Sequence, residues 1–519
     1  MIMKRKSRTE YSLINILTGL GGYVINTGLG FVCRMVFVRC LSDSYLGLNG
    51  LLTNFLSMLS LSELGIGSAI IYALYKPIAT NDEDKIASLM RLYRNAYRVI
   101  GIIVAITGIC TLPFLYFVIG DTSEIQESIY VIYGIYLFNT SSSYFFSYRS
   151  SLITAYQRNY IVNGVSYVIT SLQSIVQMIA LLCFESYMPY LVIQTIGTQL
   201  YNIIITIWTN KEYPYINKKK TKPLTKEEKR GLFKNVKSVT VYKLSGVLVN
   251  NTDNLVITYF SGLGISGLAS NYVLLVNTLD TLIKQVFNAI TASVGNLNAG
   301  NDEAHQYDFF CTLNLANFWI YGWAALGVLF ISSDLVRLLF GESYILDWKI
   351  PLILSINLYM VGMQNAIWTY KNTKGMFVYG QYLLLVTAAL NVLGDILFGN
   401  LWGVFGIYFA TALARGTTNA WYEPYAVYKY GFRKNPFLYL KKYFEYIFVL
   451  LLTGGVCFFF CKIPSFTPII DILFKIVVCS IIPNMVFFLV FHRTKEFSYL
   501  MQIAQKSSLL VRDKLRRLR

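Results

Sequence analysis

A chain of 519 residues that is 55% hydrophobic and only 14% charged is not an ordinary soluble protein, in which about a quarter of residues are charged. Apolar runs of about twenty residues, the length that crosses a bilayer core, succeed one another and leave no stretch long enough for a soluble catalytic domain. The formal net charge of +18 suggests nucleic acid as a partner until the positions of the cations are considered.

In chain order, the basic start MIMKRKSRTEYS resembles the head of a signal peptide. The apolar stretch behind it is too long and lacks a small-residue cleavage site, so it is expected to persist as a first span over 14–38. Thirteen further spans are predicted at 47–75, 99–118, 128–148, 161–183, 188–209, 236–260, 264–294, 307–331, 349–370, 377–398, 402–428, 443–461 and 467–492. The 40 Tyr and 34 Phe suit rings held at lipid headgroup depth. The expected class is all-α integral membrane, with about fourteen transmembrane helices.

The cations then orient these spans. With the N-terminus inside, the segments 1–13, 76–98, 149–160, 210–235, 295–306, 371–376, 429–442 and 493–519 are cytoplasmic and hold 35 of the 45 Lys and Arg. The outward loops hold three: Arg39, Arg337 and Lys462. Such a split is the positive-inside pattern, and it predicts an even number of spans with both termini cytoplasmic. The basic charge therefore records topology, and no nucleic-acid partner is expected. Eight cysteines scatter through or beside apolar spans without a CxxC or Cys/His cluster, so they read as packing residues, and no metal site is expected. His305 and His492 stand alone. No GxxxxGK[ST] occurs, so no P-loop ATPase is expected and the chain does not read as an enzyme. The outward loop near 332–348 is too short for a catalytic domain, and its Asp334, Glu342 and Asp347 read as solvated charges.

The polar stretch 210–235 divides the chain as a cytoplasmic linker, in which Lys218, Lys219 and Lys220 are placed to touch anionic headgroups. A shift of 220 residues aligns 47–83 with 267–303 at 9 of 37 positions without a gap, including Gly47-Leu48 on Gly267-Leu268 and Asn81-Asp82-Glu83 on Asn301-Asp302-Glu303. The expected organisation is a six-helix lobe at 1–209, the linker, a second six-helix lobe at 236–428, and two extra spans with a basic tail at 429–519. Six spans per repeat is even, so both copies enter the bilayer the same way, as in transporters with parallel repeats and alternating access.

Several stretches carry a family resemblance. SELGIGSAIIYALYKPIATNDEDKI (62–86), RSSLITAYQRNYI (149–161), NNTDNLVIT (250–258), ITASVGNLNAGND (290–302) and, more loosely, YKNTKGMFVYGQY (370–382) followed by Asn391 are similar to segments of bacterial polysaccharide flippases of the multidrug/oligosaccharidyl-lipid/polysaccharide exporter superfamily. The resemblance implies two lobes forming a V around a cavity, in a bacterial plasma membrane. It implies a cargo of undecaprenyl-pyrophosphate-linked oligosaccharide repeat units, as for O-antigen, capsule or exopolysaccharide, moved to the outer leaflet. Polymerase and other polysaccharide-assembly proteins are the implied partners. A lipid II flippase, a drug/cation antiporter of the same superfamily and a membrane polysaccharide polymerase or ligase are the alternatives.

Charges inside a membrane are costly and mark function or pairing. A lipid pyrophosphate is a dense anion, so Arg34, Lys243, Lys284 and Arg415 within the spans are candidates to bind it, with Arg149 at the cytoplasmic end of the fourth span as a candidate to receive the headgroup. Glu63, Asp253, Asp280 and Asp395 are candidates to bind a coupling cation, H+ or Na+, or to orient those bases; no other cofactor is expected. Competing with these roles, Asp280 and Lys284 are spaced to pair along one helix, as are Asp471 and Lys475. Arg149 can equally be an interfacial anchor, and Lys237 and Lys349 can snorkel from span ends.

Overall fold

The computed structural model describes residues 8–59, 66–114, 119, 124–217, 224–298, 303–374, 376, 379–463, 467–502 and 505. Among the described residues there is no strand. The helices are α1 (Arg8–Cys40), α2 (Asp43–Leu59), α3 (Ile66–Ala79), α4 (Glu83–Thr111), α5 (Ile129–Ala155), α6 (Asn159–Phe184), α7 (Tyr187–Glu212), α8 (Lys226–Asn298), α9 (Glu303–Phe340), α10 (Lys349–Thr373), α11 (Gln381–Thr417), α12 (Asn419–Ala426), α13 (Phe437–Cys461) and α14 (Pro468–Phe491). Ten helical runs among the described residues are long and apolar enough to cross a membrane, and Asn251–Gln285 and Tyr382–Gly431 each hold parts of two predicted spans. Rows of large apolar side chains stand exposed on them, such as Phe459, Leu451 and Leu473 on α13 and α14. Those rows are untenable in water and natural against lipid, where helices satisfy every backbone polar group internally. The protein is a multi-pass, all-α membrane protein.

Two glycines bend what would otherwise be straight rods. Gly262 (φ 81°) breaks α8 between the seventh and eighth predicted spans, and Gly403 (φ 59°) breaks α11 at the start of the twelfth. Both backbones are in territory that a Cβ disfavours. Elsewhere the expected loops are shorter than charge counting suggested. The stretch 76–98 folds as helix from Glu83, because Asp82 Oδ1 accepts from the Lys85 amide at 3.0 Å and caps α4. Its buried Ile86, Leu89, Met90, Tyr93 and Tyr97 then continue one apolar face into the span. Likewise α9 runs on to Phe340, so Asp334 and Arg337 are helical rather than in a loop.

The chain forms two compact units, Met1–Ser270 and Asn271–Arg519. In the first, α1 packs on α6, and α5 packs on α4 and α7, around Leu48, Leu52, Tyr93, Ile132, Tyr133 and Tyr187. Glu127 ties one end of this unit together by accepting from the Tyr45 hydroxyl, from Ser186 Oγ at 3.2 Å and from the Tyr187 amide at 3.3 Å. Within the same unit α2 crosses α8 just past its bend with no room for a side chain. A Cβ on Gly47 would lie 2.0 Å from the Leu263 carbonyl oxygen, and one on Gly267 would lie 2.4 Å from that of Asp43. The two glycines matched by the 220-residue shift therefore meet at one crossing.

In the second unit α9 is held between α10 and α14. Aromatic packing dominates there: Phe318 of α9 stacks on Tyr446 of α13 with centroids 4.4 Å apart and touches Phe487 and Phe491 of α14. Cys457 and Cys461 of α13 face Cys479 of α14, and all eight cysteines are free thiols.

Candidate functional site

The polar side chains carried on apolar helices divide between the two units. In the first unit Arg34 lies six residues before the end of α1, partly buried, and its Nη2 donates to Ser270 Oγ at 2.5 Å; that oxygen donates in turn to the Gly267 carbonyl at 2.6 Å. A guanidinium is thereby held at the α2–α8 crossing. Asp253 lies on the first half of α8, partly buried, where the neighbouring Asn251 Nδ2 donates to Ser57 Oγ of α2 at 3.1 Å. Arg149, near the end of α5, reaches Thr206 Oγ1 of α7 at 3.5 Å, and its guanidinium lies 4.6 Å above the Tyr148 ring. Glu63 and the side chain of Lys243 lie outside the described residues.

Among the described residues, the second unit carries ion pairs on several of its helices. Lys284 Nζ donates to Asp280 Oδ2 at 2.6 Å, one turn apart on α8, so the helix pairing read from the spacing is present. The pair is also wired into the bundle: the Tyr321 hydroxyl donates to Asp280 Oδ1 at 3.0 Å, and Asn365 Nδ2 donates to that hydroxyl at 2.6 Å. Lys284 is 39% exposed and Asp280 18%, which leaves the ammonium accessible while its partner is anchored. Asp395 is fully buried on α11, where Asn391 Nδ2 donates to its Oδ1 at 3.0 Å and also to Thr411 Oγ1 at 3.0 Å. Arg415 lies further along α11, partly buried.

Two clusters were not anticipated. Lys371, counted as a cytoplasmic loop charge, ends α10 in the interior and donates to Glu423 Oε1 of α12 at 2.9 Å; the side chains are 6% and 1% exposed. Glu423 falls inside the predicted span 402–428 but was not singled out there. Its Oε2 has no partner among the described residues. Lys475 does pair with Asp471 at 3.0 Å, yet it lies closer to Asp334 of α9, at 2.6 Å, so Asp334 is a partly buried ionic partner and not a solvated loop charge. Three residues beyond Lys371, burial pushes the Lys374 ammonium down, while its Nζ donates to the Gly431 carbonyl at 3.1 Å.

An apolar cavity of about 860 Å³ lies in the second unit alongside α9, α10 and α13, lined by Leu329, Leu352, Met360, Trp421, Tyr443 and Leu451 among others. Such a lining suits a hydrocarbon chain and offers little to a polar solute. Among the described residues no three His, Cys, Asp or Glu side chains gather as a metal site.

Comparison with known proteins adds three findings. The profile of the family described as "Polysaccharide biosynthesis protein" matches residues 12–295, more than half of the chain. Among solved structures, the lipid II flippase MurJ in an inward closed conformation aligns over 93% of this chain and 100% of its own, with a TM-score of 0.62 at 15% identity. A multidrug resistance MATE family transporter of the MOP superfamily, in an inward-facing conformation, aligns over 75% of this chain and 91% of its own, with a TM-score of 0.56 at 12% identity. The same description in an outward-facing conformation aligns over 80% and 93%, with a TM-score of 0.53 at 12% identity. No curated protein matches the chain.

Proposed function

The chain belongs to the polysaccharide biosynthesis protein family, and from that premise we propose that it is a flippase for an undecaprenyl-pyrophosphate-linked oligosaccharide repeat unit. It carries the unit from the cytoplasmic to the outer leaflet of a bacterial plasma membrane by alternating access, as a step of surface polysaccharide assembly. Both termini are cytoplasmic in this reading, following the positive-inside pattern.

The observation that carries the reading is the family match over residues 12–295. Three structural features support it. Arginine and lysine side chains on membrane helices, Arg34, Lys284 and Arg415, supply the charge-assisted hydrogen bonds that a pyrophosphate needs. The apolar cavity beside α13 suits the polyprenyl chain. The fold of the lipid II flippase, which aligns over 93% of this chain, is compatible with a lipid-linked cargo. Asp280, held by Tyr321 and paired with Lys284, and Asp395 on α11 are the acids proposed to take part in coupling to H+ or Na+.

Proteoliposome flipping tests this directly. Purified protein accelerates the crossing of an undecaprenyl-pyrophosphate oligosaccharide and leaves a drug cation unmoved. Rates equal to empty liposomes across a range of repeat units overturn the proposal. Acceleration of lipid II alone reassigns the cargo.

A further inference from the structure

The cations near the starts and ends of spans were read above as topology, but three of them gather in the first unit. Arg94 and Arg98 stand one turn apart on α4, and Arg149 comes from α5. The two helices are packed together at this level. Tyr93 Oη lies 3.1 Å from Ser151 Oγ, and the Tyr93 and Tyr148 rings are 6.4 Å apart at their centroids. All three cations act electrostatically on the Tyr148 hydroxyl, and Arg94 and Arg98 both act on Arg149. Like charges so placed repel, most strongly where water is scarce. Among the described residues no carboxylate lies within ion-pair distance of any of the three.

The hydrogen-bond inventory is equally incomplete. Among the described residues, the buried Arg94 Nε and Arg149 Nε have no acceptor, and Arg149 Nη1 makes only the long contact to Thr206. Asn202 Nδ2, one turn before Thr206 on α7, is also buried without an acceptor among the described residues. Buried donors without acceptors are costly, and several of them beside like-charged guanidinium groups are chemically matched to an anion.

Position gives the anion its class. The exposed apolar rows that face lipid include Val99 and Ile102 on α4, Phe145 on α5, and Ile203 and Ile207 on α7. Arg98 precedes Val99, and Arg149 follows Phe145 by one turn, so the cations stand at the rim of the lipid-facing surface, at headgroup depth. A guanidinium fork matches the oxygens of a phosphate at such a depth.

We propose that Arg94, Arg98 and Arg149 form a binding site for the phosphate of a lipid that lies against α4, α5 and α7. An anionic phospholipid of the bilayer and a polyprenyl phosphate share this chemistry, and only the second source rests on the function proposed above.

Native mass spectrometry of the purified full chain, titrated with dioleoyl phosphatidylglycerol or with undecaprenyl phosphate, tests the site without any transport. Arg149→Gln weakens retention of the bound lipid by about tenfold and Arg94→Gln with Arg149→Gln by about a hundredfold, while Arg149→Lys is intermediate. Displacement of phosphatidylglycerol by undecaprenyl phosphate assigns the polyprenyl source; retention of phosphatidylglycerol against it assigns the bilayer source. Equal retention of both lipids by wild type and double variant overturns the site, as does displacement by equimolar inorganic phosphate. Lipid-free melting separates binding from packing. Removing two mutually repelling, unpaired cations leaves the melting temperature unchanged or higher, whereas a lower value with unaltered lipid retention shows a structural role and overturns the proposal. Absence of flipping by the wild-type protein, with lipid retention intact, would reject the flippase reading and leave this site standing.

Discussion

Glu423→Gln isolates what the buried Lys371–Glu423 pair contributes. The two side chains are 6% and 1% exposed and meet at 2.9 Å, and the turn at Gly380 closes over the ammonium at 3.8 Å from where its Cβ would be. Replacing the carboxylate by an amide of the same shape leaves a buried ammonium without its counter-charge, a change that costs about 3–5 kcal/mol. Glu423 Oε2 already has no partner among the described residues, so the pair does not recover its full desolvation cost. Lys371→Met combined with Glu423→Leu removes both charges, and its stability is expected within about 1 kcal/mol of wild type, or above it. A thermodynamic cycle over Lys371→Met, Glu423→Leu and the double then gives a coupling of at least about 2 kcal/mol. Unfolding of purified protein in detergent, followed by tryptophan fluorescence against denaturant, supplies these stabilities. The reasoning fails if Glu423→Gln is as stable as wild type, or if the double variant is no more stable than the worse single.

Gly47→Ala places a Cβ 2.0 Å from a backbone oxygen and is expected to cost about 1–3 kcal/mol by the same measurement, whereas Gly50→Ala, whose nearest atom would be 3.8 Å away, stays within about 0.5 kcal/mol. Asp334→Asn strips Lys475 of its closer carboxylate, at 2.6 Å, and lowers stability by about 1–3 kcal/mol, with Asp471→Asn costing less because that contact is longer; equal costs would contradict the assignment. Arg34→Gln and Arg415→Gln are expected to abolish surface polysaccharide at normal protein level, scored by immunoblot of both; normal polysaccharide would remove either residue from the cargo site. Asp280→Asn should weaken the hold on Lys284 and reduce flipping in proteoliposomes at least tenfold, and an unchanged rate would confine the pair to packing.

Hydropathy reads one segment at a time, and for that reason the spans were legible. Burial in lipid requires each helix to be apolar along about twenty residues, whatever it packs against. The Asp280–Lys284 and Asp471–Lys475 pairs were legible too, because four residues along one helix suffice to bring side chains together. The 220-residue shift aligned Gly47 with Gly267, and that match could be found without knowing that the two backbones touch.

What the chain order could not disclose is which helix each charge turns toward. Lys371 and Glu423 are 52 residues apart and Lys475 and Asp334 are 141 apart, so neither pairing leaves a local spacing to read. A cation just beyond a span looks the same in sequence whether it faces water, as counted for Lys371, or a buried acid, as the fold has it. Arg94 and Arg149 likewise enter the charge count as two topology markers, and only the packing of α4 on α5 makes neighbours of them. The membrane class and the number of spans thus follow from the composition of each segment. The ionic partners follow from the rotation of each helix about its axis, which is set by packing between elements distant in the chain.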